Sequence, residues 1–160
     1  MSSTRAPILR RSGVGRAIGV VGDVYRFLAI GEETGGKYAT IDATVPPGGG
    51  PPPHIHSREE ESFYILEGEI TFQIAGERVV AGPGTFASMP IGVLHSFKNE
   101  SNTTARMIIS VAPAGLERMF LEIGQPVEPD ATSAPAPTKA DLDRLIAAAP
   151  RYGVELKLPH

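Results

Sequence analysis

GGGPPPHIHSREEESFYILEG, residues 48–68, and GTFASMPIGVLHSFKN, residues 84–99, hold three of the four histidines of the chain and decide how it is read. His54 and His56 are separated by one residue, so on an extended strand both imidazoles project to the same face and can reach one ion. A tight return over Ser57 to Glu60 lets Glu61 open the next strand, with Phe63 and Ile65 on its own face. That places a carboxylate beside the imidazole pair and apolar side chains behind it. His95 comes from a distant strand and can complete the cluster only if the strands close around a common interior.

Outward from these segments, the chain is punctuated rather than helical. Its 18 Gly and 15 Pro residues fall between short apolar runs. Val20 to Ile30 reads as a strand region broken at Gly22-Asp23. Lys37 to Val45 alternates, with Ala39, Ile41, Ala43 and Val45 on one face. Phe63 to Leu66, Ile70 to Ile74, Arg78 to Ala81, Thr85 to Met89, His95 to Asn99 and Ala105 to Val111 follow, joined by turn chemistry such as Glu67-Gly68 and Gly82-Pro83-Gly84. The expected fold is all-β, a jelly-roll sandwich or barrel. After Val111 the period changes. Leu116, Met119, Phe120 and Ile123 recur at helical spacing and Gly124 ends the run. A second helix is expected from the Thr138/Asp141 capping signal through Leu142, Leu145, Ile146 and Ala149 to Pro150.

The expected organisation is an N-terminal arm over 1–16, a β-barrel over 17–113, a packed helix over 114–124, a Pro-rich linker over 125–137, and a helix with tail over 138–160. At 160 residues the length suits one domain. With 15 basic and 18 acidic residues the chain lacks the electrostatic footprint of a nucleic-acid binder. The absence of cysteine excludes thiolate metal sites and cysteine nucleophiles. No stretch approaches the ~18 apolar residues needed to span a bilayer, and the N-terminus lacks an apolar signal region. A cytoplasmic protein with a small-molecule substrate, and neither a membrane nor a nucleic-acid partner, is expected.

Gly48-x5-His54-x-His56-x4-Glu61-x6-Gly68 and Gly84-x5-Pro90-x-Gly92-x2-His95-x3-Asn99 resemble both signature motifs of the cupin superfamily, with fifteen residues between Gly68 and Gly84. The chain is similar to small bacterial single-domain cupins, in particular the quercetin-dioxygenase-like group. The resemblance implies a cupin jelly-roll barrel with short C-terminal helices. His54, His56, Glu61 and His95 then ligate one divalent transition metal ion, which Mn, Fe(II), Co, Ni, Cu or Zn could supply. It also implies a homodimer and a dioxygenase acting on a chelating enol or phenolic substrate, with Glu61 doubling as proton acceptor. A metal-dependent isomerase or lyase, or a non-catalytic binding module, is the alternative. Gly68, Gly84, Gly92 and Pro90 are expected at tight turns and Asn99 in a structural role. Glu59 and Glu60 are read as solvated, and Tyr25, Tyr38 and Tyr64 as surface or interface tyrosines in preference to hydroxyls that orient a phenolic ligand. The apolar set Phe63, Ile65, Ile70, Phe72, Ile74, Phe86, Met89 and Phe97 is read mainly as core. His160 is read as inert.

Overall fold

The computed structural model describes residues 4–159, so His160 lies outside the described residues. Two antiparallel sheets face each other. The larger contains β1 (Ala17–Val20), β2 (Asp23–Ala29), β3 (Ala39–Val45), β5 (Glu60–Glu67), β8 (Phe86–Met89), β10 (Ala105–Ala112) and β11 (Gln125–Pro126), in the order β11-β1-β2-β3-β10-β5-β8. The smaller contains β4 (His54–His56), β6 (Ile70–Ile74), β7 (Glu77–Ala81), β9 (His95–Lys98) and β12 (Val154–Leu156), in the order β12-β4-β9-β6-β7. This is the jelly roll expected from the sequence.

Period-two patterning sets which side chains meet between the sheets. On β3, Ala39, Ile41, Ala43 and Val45 are buried and their neighbours are not; on β10, Ala105, Met107, Ile109 and Val111 do the same. Phe63 stacks obliquely on Phe72 from the opposite sheet, with ring centroids 5.2 Å apart, and edge-on against Phe97 at 5.7 Å. Phe86 departs from the expected core set. It is 65% exposed, because it pairs with Tyr64 on the outer face of β5 and β8.

Helix α1 is a single turn (Gly31–Thr34), and α2 (Leu116–Ile123) lays its stripe of Leu116, Met119, Phe120 and Ile123 onto the chain's own sheets. Buried Glu117 joins the two: its carboxylate accepts from Gly31 N at 2.9 Å and Gly115 N at 2.7 Å. Thr138 and Asp141 form the expected capping box of α3 (Lys139–Ala148). A 3-10 turn (Ala149–Tyr152) then reverses the chain into β12, a strand with no counterpart in the sequence reading. In the N-terminal segment, Arg10 pairs with Glu33 at 2.7 Å.

Gly68, Gly84 and Gly92 have φ of 76, 87 and 90°. Gly68 is also closed to any side chain, since a Cβ there would lie 2.8 Å from Ala105 Cα. Asn99 is fully buried. Its amide donates to Val45 O at 2.9 Å and Thr103 O at 2.8 Å, and its carbonyl accepts from Ser101 N at 3.0 Å. Its main chain brackets the glycine loop, with Gly48 N donating to Asn99 O and Asn99 N to Gly49 O. Asn99→Ala leaves Val45 O without its side-chain donor and should lower the unfolding free energy by about 2–3 kcal/mol in urea titration, with the slope unchanged.

Candidate metal centre

Four residues from both sheets converge. The smaller sheet supplies His54 and His56 from β4 and His95 from β9, where His54 and His95 are direct cross-strand partners. The larger sheet supplies Glu61 from β5, opposite Met89 of β8 and Val111 of β10. One ligand atom from each of the four lies within 4.8 Å of every other, and all four residues are buried. The imidazole centroids are 4.8 Å (His54–His56), 4.5 Å (His54–His95) and 5.4 Å (His56–His95) apart.

Each ring is fixed from behind through Nδ1. His54 Nδ1 donates to Pro52 O at 2.8 Å and His95 Nδ1 to Val93 O at 3.0 Å. A carbonyl can only accept, so Nδ1 carries the proton and the lone pair of the neutral ring is on Nε2. His56 Nδ1 contacts the Glu59 carboxylate at 2.8 Å. Glu59 is 3% exposed, so it is not the solvated charge expected from the acidic run; Glu60 is exposed. The one-residue difference follows from where the turn ends. Glu59 folds back beneath β4, and Glu60 starts β5 on its outer face. Carboxylates behind metal-binding imidazoles orient the ring and raise its basicity.

On the inner side, Glu61 Oε1 lies 3.2 Å from His56 Nε2 and 3.0 Å from His95 Nε2. A carboxylate facing unprotonated ring nitrogens is repelled, so the cluster is satisfied by positive charge among these atoms. That charge is either protons on the rings or a cation held by them. Three neutral imidazoles and one carboxylate fit a divalent ion and leave about two of six octahedral positions to other ligands.

With protein groups alone, burial pushes the His56 pKa down, but the hydrogen bonds its ring donates to Glu59 and Glu61 outweigh it and hold the ring up at about 9. Burial lowers His54 to about 4, with Glu61 opposing and the other two imidazoles assisting. For Glu61, burial raises the pKa, but hydrogen bonds from His56 and His95 prevail and hold it well below the usual carboxylate range.

Above the cluster is a cavity walled by Leu116, Met119, Phe120, Leu145, Val154 and Leu156. It leaves about 50 Å³ for the centre of a water-sized sphere, enough for a few waters or a small organic ligand. Tyr25 is buried in its wall, edge-on to Phe120 at 5.0 Å, and so is not the surface tyrosine expected; Tyr38 and Tyr64 are exposed. The sequence reading set Glu59 and Tyr25 aside and did not single out Asp23, another cavity residue. The inward alternation Asp23, Tyr25, Phe27, Ala29 along β2 was the available signal.

Residues 42–111 match the Cupin domain family model. The matched segment contains all four residues of the His/Glu cluster. It is 29% identical over 122 residues to a quercetin 2,3-dioxygenase of Bacillus subtilis, covering 76% of this chain and 36% of that protein. A germin-like protein 3-3 of Oryza sativa is 38% identical over 73 residues, or 40% of this chain and 32% of that protein. The chain spans about a third of the length of these relatives. Among solved structures, a protein described as a predicted oxalate decarboxylase from Thermotoga maritima superimposes with a TM-score of 0.62 at 24% identity, covering 66% of this chain and 99% of that one. No helix among the described residues is long and apolar enough to cross a membrane.

Two measurements probe the cluster. His56, raised to about 9, contributes stability that is fully present below its ordinary 6.5 and is lost as pH rises through 9. The melting temperature of metal-stripped protein should therefore fall between about pH 6.5 and 9, whereas with one equivalent of Zn(II) it should not, because the ion replaces the proton. Glu59→Leu, which leaves His56 Nδ1–H without an acceptor, should weaken metal binding about 10–100-fold in a chelator-competition titration.

Proposed function

We propose that this protein is a mononuclear-metal dioxygenase of the cupin superfamily acting on a small chelating enol or phenolic compound, with His54, His56, Glu61 and His95 as the metal ligands. The observation that carries the proposal is the inward convergence of three Nε2 atoms and one carboxylate beneath an apolar cavity. The similarity to a quercetin 2,3-dioxygenase supports the reaction class. A bound divalent ion would supply Lewis acidity and, for a redox-active metal, electron exchange between ligand and dioxygen.

The protein's own groups have separate tasks. The three imidazoles, locked through Nδ1, present a rigid set of donors. Glu61 faces the same point, and with the His56 and His95 rings turned to an ion instead of donating to it, its carboxylate accepts the hydroxyl proton of the incoming enol, producing the anion that a net positive centre favours. Leu116, Met119, Phe120 and Leu145 exclude water from the resulting anion. The narrowness of the cavity favours the smaller members of this substrate class; a flavonol requires the α2, α3 and β12 cap to shift outward. A homodimer belongs to the same proposal, and the exposed Tyr64 and Phe86 pair on the outer face of β5 and β8 supports it.

A second reading uses the same donors without oxygen, for isomerisation or lyase chemistry on a small sugar or keto acid. The same small cavity supports it. Oxygen-electrode assays after reconstitution with Fe(II), Mn, Co, Ni or Cu separate the two. The dioxygenase reading expects stoichiometric O2 uptake with an enol or flavonol substrate, abolished by His56→Ala together with metal content. Turnover that continues under argon would replace it with the second reading.

A further inference from the structure

The inward face of the larger sheet is apolar along β3 and β10, and only two buried carboxyl groups interrupt it. One is Glu61, on β5, in the His/Glu cluster. The other is Asp23, on β2, with β3 and β10 between them. Both line the same cavity.

Asp23 is 2% exposed, and its Oδ1 has no hydrogen-bond partner among the described residues. A buried carboxyl without a partner costs free energy that a structural role would have recovered through hydrogen bonds. The surroundings are nevertheless shaped around it. A Cβ at Gly49 would lie 2.4 Å from Asp23 Oδ1, so a glycine in the first motif leaves the room that this carboxyl occupies. The hairpin turn that delivers Asp23 is strained: Val21 has φ 46°, a left-handed conformation that a β-branched residue rarely adopts, followed by Gly22 at φ 91°. A buried polar group left without a partner calls for an explanation, and a ligand in the adjoining cavity supplies one. Two residues along the same inward face, Tyr25 places its ring in the cavity wall.

We propose that Asp23 is a ligand-recognition residue, whose carboxyl hydrogen-bonds a hydroxyl group of the small chelating compound held at the His/Glu cluster. The ligand class is thereby narrowed to a hydroxylated chelator, with oxygens at the cluster and a further hydroxyl at the β2 wall. This rests on the reading that the cavity takes a chelating ligand. Burial raises the Asp23 pKa well above the usual carboxylate range, favouring the neutral acid, which can donate as well as accept.

The test uses protein loaded with redox-inactive Zn(II) and calorimetric titration with two ligand pairs that differ by one hydroxyl-bearing group. Allomaltol and kojic acid, which carry a methyl and a hydroxymethyl group on the same ring carbon, are enol chelators; pyruvate and hydroxypyruvate are keto acids. The native protein should bind the hydroxylated member of at least one pair about tenfold more tightly than a ligand without that group. Asp23→Leu should reduce this preference to less than about twofold by weakening only the hydroxylated ligand, with zinc content unchanged, and Asp23→Asn should retain most of it. The melting temperature of ligand-free Asp23→Leu should equal or exceed that of the native protein, the reverse of what loss of a structural residue produces.

If Leu proves too bulky beside Gly49, Asp23→Ala repeats both readouts. An unchanged preference in both pairs, or substitution that lowers the melting temperature by several degrees without altering the preference, overturns the proposal. An Asp23-dependent preference confined to the keto acids retains the recognition role but removes the enol substrate proposed above, so the two failures are distinct.

Discussion

Glu61 is buried between two sheets, and a carboxylate in that position is tolerated only when positive charge and hydrogen bonds accompany it. The rest of the site follows from this electrostatic requirement. The positive charge has to come from the facing sheet, because the inward neighbours of Glu61 on its own sheet, Met89 and Val111, are apolar. His56 and His95 supply the contacts, and His54 is brought to them by cross-strand pairing with His95. The arrangement is a proton trap in the bare protein and a cation trap when metal is present. The competition between the two links metal affinity to pH.

Behind the rings, the second layer does as much to define the centre as the four donors. Two backbone carbonyls and one carboxylate hold the three Nδ1 atoms, so every imidazole is aimed before any ion arrives. The loops that provide those carbonyls are proline-rich or adjoin the Pro90-Ile91-Gly92 turn, which limits how far they can relax. The buried Asn99 ties the glycine loop of the first motif to the end of the second, so the two histidine-bearing segments are fastened on the side remote from the cluster as well.

Much of this was legible in the residues. Alternation along β3 predicted both sheet and core face, because a side chain on a pleated strand has only two directions to choose from; β10 was legible as a strand. The helical stripe from Leu116 to Ile123 and the Thr138 cap were equally local signals. What escaped was set by partners distant in sequence. Glu59 looks identical to Glu60 in an acidic run, and only the course of the turn decides which one lies under His56. Phe86 looks like core until the pairing of β8 with β5 turns it outward. Val154 to Leu156 is too short to announce a strand, and it becomes one because β4 offers it an edge. Asp23 follows a glycine turn, where an acidic residue is ordinarily exposed, and only tertiary packing encloses it.

That last strand has a consequence for biosynthesis. β4, which carries two of the imidazoles, meets β9 at a single residue pair but meets β12 at three, including Val154 opposite His56 and Leu156 opposite His54. About a hundred residues of chain separate those partners, so a nascent polypeptide leaving the ribosome displays both histidines long before the segment that clamps them. The backbone pairing that holds both imidazoles in the folded chain is therefore absent until Val154 to Leu156 have been synthesised.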